Sequence, residues 1–219
     1  MQTKLNLITE LARKDRRLKF NNLLHLINAD NLKYCFKGLK RDKAVGIDGV
    51  KVEEYEQELD KNIGNLLERM KKWKYRPQPV KRIYISKSNG KKRAIGIPTV
   101  EDKLVQMCIK KILDAIYEVD FLDTSYGFRV NRSYHQALNR VNKIIMQRPV
   151  NYVIDADIKG FFDNVDHKLM RKCLGERISD RMFLRLMVRM LKNGAIEEGV
   201  IMQPEKGTPQ GAVLSPVLS

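Results

Sequence analysis

Three observations predict an α+β fold. Apolar residues recur at helical spacing in several long stretches, most clearly from Val52 to Met70. One segment, "VKRIYISKSNGKKRAIGIP", has the alternation and the Asn89-Gly90 turn of a β-hairpin. Helices and hairpin mix without the strand–helix alternation that builds a parallel sheet. The 219 residues are enough for one large domain or two small ones with a real core.

The first forty residues read as short helices, and "NNLLHLINADNLKYCFKGLK" ends near Gly38. His25, among leucines, is expected in the core or at its boundary, not as a ligand. "KAVGIDGV" is a loop around Gly46 and Gly49. Val52, Tyr55, Leu59, Ile63, Leu66, Leu67 and Met70 step by three and four, so one amphipathic helix is expected. Pro77 and Pro79 forbid its continuation. In the hairpin, Ile83 and Ile85 alternate with polar neighbours, and Ala94-Ile95-Gly96-Ile97 returns. Thr99 is placed to cap the next helix, with Asp102 three residues on. That helix carries Leu104, Cys108, Ile112 and Ile116 on one face, and another runs from Ser133 to Gln147. Tyr152-Val153-Ile154 reads as a short apolar strand. Asp166 is expected to cap a helix through Leu174, and Ser179 one through Leu191, closed by Gly194. "KGTPQGAVLSPVLS" reads as a turn entering a helix.

Hydrophobic residues make up 43% and charged residues 31%, a soluble globular composition. No apolar run is long enough to span a bilayer and the start lacks a secretory signal, so a cytoplasmic protein with no membrane partner is expected. Lys plus Arg number 42 against 26 Asp plus Glu, a formal net charge of +16. Such an excess points to a polyanionic partner, above all nucleic acid. Cys35, Cys108 and Cys173 are far apart with no paired spacing, and read as reduced core residues.

Against that charge, "NYVIDADIKGFFDNVDH" holds four aspartates, Asp155, Asp157, Asp163 and Asp166. On a strand Asp155 and Asp157 point the same way. Converging carboxylates beside a polyanion repel it unless a cation intervenes, and hard divalent ions bridge carboxylate to phosphate. For Asp163 and Asp166 the better reading is caps and turns; for Asp157 the two readings are even on spacing alone. The hairpin "KRIYISKSNGKKR" carries six cations, Lys81, Arg82, Lys87, Lys91, Lys92 and Arg93, and no acid. It suits a triphosphate or a nucleic-acid backbone, or it is a wet, charged tip. In "GTPQGAVLSP", Gly207 and Gly211 let a ligand approach the backbone, and Gln210 can donate and accept.

Together and in this order, "KAVGIDGV", "RIYISKSNGKKRAIGIPTVEDKLVQ", "SYGFRVNRSYHQAL", "DADIKGFFDNVDH" and "GTPQGAVLSP" resemble the N-terminal part of a group II intron-encoded reverse transcriptase, or maturase. The resemblance implies the fingers and partial palm of a right-hand polymerase. Residues 1–150 would form the N-terminal extension and fingers, with helices leading into the palm; residues 151–219 would form a partial palm, truncated before the second catalytic aspartate motif. Asp157 then matches the first catalytic aspartate, and Ile158 offers its carbonyl to the same metal. Phe162 matches the residue that stacks under the deoxyribose, with Gly160 allowing a tight turn and Phe161 pointing into the core. Lys87 and Arg93 match the grip on the triphosphate, and Gln210 lines the nucleotide pocket. Arg129 and Arg132 lie in the block that holds that pocket together. Lys43, beside the Gly46–Gly49 loop, and Lys81, Arg82, Lys91 and Lys92 are the expected RNA contacts.

The implied cofactor is magnesium, two ions in a full-length parent, with manganese as a substitute. The implied partners are RNA template and intron RNA, a DNA primer, and deoxynucleoside triphosphates. Ser86 and Val130 stand where the family usually has proline, and the aromatic-Ala-Asp-Asp hairpin of the family lies beyond Ser219. Little polymerase activity is therefore expected from these 219 residues alone. The alternatives are an RNA-binding splicing cofactor that does not polymerise and a metal-dependent nuclease; the nuclease leaves the hairpin and the Gln210 loop unexplained. Whichever holds, the net charge predicts binding to structured RNA that weakens steeply with salt. Filter binding at low and moderate salt tests this, and salt-independent affinity would contradict it.

Overall fold

The computed structural model describes residues 1–86, 90, 92–197, 199–202, 206–208 and 213–218. In chain order the helices are α1 (Gln2–Lys14), α2 (Ala29–Lys37), α3 (Val52–Gln57) and α4 (Leu59–Lys71). The hairpin strands β1 (Val80–Ser86) and β2 (Lys92–Ile97) lead into α5 (Val100–Tyr117) and α6 (Tyr134–Gln147). Then come α7 (Phe161–Asn164), α8 (His167–Gly175), α9 (Arg181–Leu191), β3 (Ala195–Glu197) and β4 (Val200–Met202). The sheet order is β2-β1-β3-β4, with β1 parallel to β3 and the other pairs antiparallel.

Helix α5 is the axis of the core. Leu104, Val105, Cys108, Ile109, Ile112, Leu113 and Ile116 are all fully buried. Burying each large aliphatic chain stabilises by about 1.5–3 kcal/mol. The same core takes Leu5 and Ala12 of α1, Leu32 and Phe36 of α2, Ile63 and Leu66 of α4, and Phe183 and Met187 of α9. Thr99 caps α5 by accepting from the Asp102 N–H at 3.2 Å. Asp102 itself is buried, and its carboxylate accepts the Tyr75 hydroxyl at 2.5 Å and the Gln78 N–H at 2.9 Å. Burial pushes the Asp102 carboxyl above its usual range, and these hydrogen bonds pull it back. Gln78 in turn accepts from the Asn193 side chain at 2.5 Å, and the Val80 N–H donates to the Gly194 carbonyl at 2.9 Å. The base of the hairpin is thus pinned to α5 on one side and to the end of α9 on the other.

Several expectations change. The Val52–Met70 helix breaks at Glu58, whose backbone leaves the helical region (φ −122°, ψ 38°). The Tyr55 carbonyl freed by the break accepts from the Asn62 side chain at 3.1 Å, which makes the break tolerable. Asp180, not Ser179, caps α9, accepting from Met182 and Phe183 N–H at 3.0 and 2.9 Å. Its second oxygen accepts from Leu23 and Leu24 N–H at 2.8 and 3.0 Å. A carboxylate can serve two segments at once and a hydroxyl cannot. His25 is exposed and held by Asn22. Cys35 and Cys108 are buried thiols with sulfurs 3.4 Å apart, but Cys173 is exposed on α8.

Tyr152-Val153-Ile154 forms no strand. These residues are 88%, 78% and 90% exposed, and no described residue pairs with them. A strand exists only through a partner's hydrogen bonds, so apolar sequence alone does not make one. Helix α6 forms where the sequence predicts and is capped by Ser133 and Gln136, yet its Leu138, Val141 and Ile145 are also exposed. No helix among the described residues is long and apolar enough to cross a membrane.

Asp180→Ala removes both functions of one carboxylate. The lost cap costs about 0.5–2 kcal/mol, and the buried Leu23 amide left without an acceptor about 1–3 kcal/mol more. Thermal melting should show a marked fall, smaller for Asp180→Asn, which keeps one oxygen. An unchanged melting temperature for the alanine variant would show that the bridge contributes nothing.

Candidate active site and nucleotide site

The aspartate block and the glycine block, about forty residues apart in sequence, meet in space. Gly160 adopts the left-handed conformation (φ 62°, ψ 34°) that turns the chain from the Asp157 segment into α7, as its sequence position suggests. The Thr208 N–H then donates to the Phe162 carbonyl at 2.7 Å, and the Gly207 N–H to the Val165 carbonyl at 2.8 Å. Buried His167 closes the clasp, its Nε2–H donating to the Gly207 carbonyl at 2.6 Å. Gly207 has φ +91°, and a Cβ there would lie 2.8 Å from the Phe162 carbonyl oxygen and 2.9 Å from that of Asp163. Only glycine allows this approach. The residue opening the "GTPQG" block is therefore seated on the turn that carries Phe162.

From the other end, the Val213 N–H donates to the Gln106 side chain of α5 at 2.9 Å. Both flanks of the stretch containing Gln210 are therefore anchored. Gln210 itself lies outside the described residues, as do Lys87 and Lys91. His167 and Gln106 are positioning residues that the sequence did not single out. The spacing of His167 within "DNVDH" gave no sign of a partner forty residues on.

Asp157 and Ile158 stand on the irregular segment before Gly160, both exposed. Asp166 is a helix cap, accepting from the Lys168 and Leu169 N–H groups at 2.8 and 2.9 Å, which hold its carboxyl below its usual range. No group of three or more His, Cys, Asp or Glu able to hold a metal ion occurs among the described residues. Asp157 and the Ile158 carbonyl do not by themselves make up a two-magnesium centre, which needs several oxygen ligands per ion. The eight residues after Gly211 add no acid.

Phe161 does not enter the core. Phe161 and Phe162 are both half-buried, packed edge to face with centroids 5.5 Å apart at 83°. Each ring covers part of the other.

In the hairpin, residues paired across the strands share a face. Arg93 lies opposite Ile85 and Lys81 opposite Ile97, while Lys92 lies opposite Ser86 and Arg82 opposite Gly96. The four described cations therefore split between two faces, so no single ligand meets them all. Arg82 is drawn to Glu197 at 3.3 Å, and Tyr84 donates to the same carboxylate at 2.5 Å. Lys81, Lys92, Arg93 and Lys43 are exposed and have no acidic partner among the described residues. Arg129 is an internal clamp. It donates to Glu118 at 2.7 and 3.1 Å and to the carbonyls of Leu122 and Ser125, each at 2.8 Å. Arg132 donates to Asp123 at 3.3 Å and lies over the Tyr126 ring. Both hold their loop together.

A cationic hairpin is thus pinned to a helical core, and an aspartate turn is clasped by a glycine block. The chain belongs to the reverse transcriptase family: residues 85–219 match the family described as "Reverse transcriptase (RNA-dependent DNA polymerase)". Its relatives are more particular. The "Group II intron-encoded protein LtrA" of Lactococcus lactis subsp. cremoris is 35% identical over 89% of this chain and 32% of its own length. "Protein YkfC" of Escherichia coli (strain K12) is 34% identical over 97% of this chain and 60% of its own length. The chain thus spans between about a third and three fifths of these relatives. Among solved structures, the "Partial Cas6-RT-Cas1--Cas2 complex" matches with TM-score 0.52 at 20% identity, over 90% of this chain and 32% of that one, a likeness of fold.

Gly207→Ala tests the clasp. The side chain meets two backbone oxygens that cannot move aside, at a backbone angle unsuited to alanine, so destabilisation above about 1 kcal/mol is expected. Hydrogen exchange at the Thr208 amide should accelerate. If exchange there is unchanged, the two blocks are not joined through this contact.

Proposed function

We propose that the chain is the fingers and first part of the palm of a group II intron-type RNA-directed DNA polymerase with a maturase role. One observation carries this: the Thr208 N–H to Phe162 carbonyl bond, with Gly207 in contact, which joins the aspartate turn to the stretch holding Gln210. In this reading residues 1–150 supply the extension and fingers, and residues 151–219 the partial palm. The partners are template and intron RNA, a DNA primer and deoxynucleoside triphosphates, handled in the cytoplasm. Phe162 bounds the sugar site, its ring steadied by the edge of Phe161. Arg93 offers phosphate an exposed guanidinium with no acidic partner among the described residues, and Lys87 and Gln210 complete the nucleotide contacts.

Magnesium would stabilise the attacking and leaving oxygens of nucleotidyl transfer. Because the described carboxylates do not make up its site, no step is assigned through it. The bare faces of α6 and of residues 152–154 support the same reading. They are apolar and exposed, and further palm strands of a longer form would cover them. Polymerisation then requires the further palm segment that longer relatives have room for. The splicing cofactor without polymerase activity is the competing outcome of the test.

Primer extension on an RNA template decides between them, using the chain and a longer form carrying the remaining palm of a relative. The chain alone should be inactive and the longer form active. In the longer form, Asp157→Asn should abolish synthesis and leave RNA binding intact. Lys87→Ala and Arg93→Ala should each lower nucleotide efficiency about ten- to hundredfold, the worth of a charge-assisted hydrogen bond. Synthesis that survives Asp157→Asn would remove that residue from the site. A longer form that folds and binds RNA but never extends a primer would favour the cofactor reading.

A further inference from the structure

The chain has one tryptophan, Trp73, and no role above uses it. It lies in the linker between α4 and β1, half-buried, with φ +55°. A bulky residue rarely holds that conformation unless its surroundings impose it. Here they do. The Trp73 N–H donates to the Met70 carbonyl at 3.0 Å, and the Arg76 side chain donates to the Trp73 carbonyl at 2.6 Å. Two guanidiniums of α9 lie over the indole, Arg189 at 4.9 Å and Arg185 at 5.3 Å from the ring centroid. Arg189 and Arg76 both donate to the Tyr75 carbonyl, at 3.2 and 3.0 Å.

Two guanidiniums therefore lie over one ring, and a third holds the backbone carbonyl of the same residue. None of them has a carboxylate partner among the described residues, whereas Arg69, one helix turn earlier, is fully engaged by Glu101. Burial first, and then the charges of Arg76 and Arg185, hold the Arg189 guanidinium below its ordinary value. Arg181 extends the row, since Arg181, Arg185 and Arg189 follow at every fourth residue of α9. Like charges at that spacing repel each other. Covering an indole needs one such chain, and a neutral one would serve. A row of them kept without counter-charge suits an anion that arrives from outside.

The shape narrows the choice. The dent lined by Leu24, Met70, Trp73, Tyr75, Leu186 and Arg189 has a volume of about 10 Å³, room for one water. No base or sugar enters it, so recognition is at the surface. Residues four apart on a helix are separated by about 6 Å along its axis, close to the spacing of neighbouring phosphates on one strand. A guanidinium also grips phosphate with two parallel hydrogen bonds.

We propose that Trp73, Arg76, Arg181, Arg185 and Arg189 form a second RNA-contact surface that takes the sugar-phosphate backbone of a structured RNA. The surface shares no residue with the nucleotide site or the hairpin contacts. The choice of RNA as the polyanion rests on the function proposed above.

Because Trp73 is the sole tryptophan, its emission reports this surface. The chain is titrated with a synthetic RNA hairpin while emission and affinity are followed together. Emission should change in step with binding. Arg185→Gln with Arg189→Gln should weaken affinity about tenfold, as loss of charge-assisted contacts implies. The same pair should reduce the slope of log affinity against log salt by about two. If the double variant binds with wild-type affinity and slope while melting lower, the arginines only pack the indole and the proposal falls. If the hairpin binds without any change in Trp73 emission, this surface is not used, although the RNA-handling function stands. Absence of all RNA binding overturns both. Competition by polyglutamate as effective as by RNA would overturn the choice of RNA in favour of an acidic protein face.

Discussion

The Asp102 carboxylate is the contact on which the arrangement of the functional segments depends. It sits in the first turn of α5, is almost fully buried, and takes two donors from the chain before the hairpin, the Tyr75 hydroxyl and the Gln78 amide, while the Asp102 N–H donates to the Thr99 cap. A buried carboxylate without partners would be costly, so its presence dictates where the chain before the hairpin must lie. The hairpin leaves from that point, and α5 continues inward as the axis of the core. At Gly46 a Cβ would lie 2.7 Å from the Thr99 Cα, so the Gly46–Gly49 loop packs against the same helix start. Further along α5, Gln106 holds the Val213 amide. One helix thus locates the N-terminal loop, the cationic hairpin and the far flank of the Gln210 stretch.

Charge in this protein falls into two classes with different work. Arg69, Arg82 and Arg129 face Glu101, Glu197 and Glu118, and each ties one element to another. Arg129 is the extreme case, its side chain 7% exposed and its donors shared between a carboxylate and two carbonyls. Such cations are structural, whatever motif they belong to. Lys81, Lys92 and Arg93 on the hairpin, and Arg185 and Arg189 on Trp73, have no acid opposite them among the described residues. They occur on two separate elements, which is how a basic protein can hold one polyanion by more than one surface without neutralising itself internally.

Local features were legible and long-range ones were not. The caps by Thr99 and Asp166, the pairing of Lys81–Ser86 with Lys92–Ile97 and the buried face of α5 each depend on residues a few positions apart. The errors share a cause. Ser179 and Asp180 are both good caps, and the choice turned on Leu23 and Leu24, which lie more than 150 residues away. Cys173 has apolar neighbours in sequence but lies on the outer side of α8. The Tyr152–Ile154 run has the composition of a strand, but no described residue pairs with it. Phe161 was expected in the core and instead packs on its neighbour Phe162.

By itself, the sequence determined the α+β class, the positions of most helices, the cationic hairpin, and the order of blocks that marks a reverse transcriptase. These follow from periodicity, turn chemistry and residue identity, all of which are local. Only the tertiary structure decided which of those residues meet. It brought Gly207 and Thr208 onto the Phe162 turn, locked by His167, and it placed Arg185 and Arg189 over Trp73. It also divided the hairpin cations between two faces. The physical reason is that contacts between distant segments are selected by how the whole core packs and by which buried polar groups must be paired, and neither is encoded at any one position of the chain.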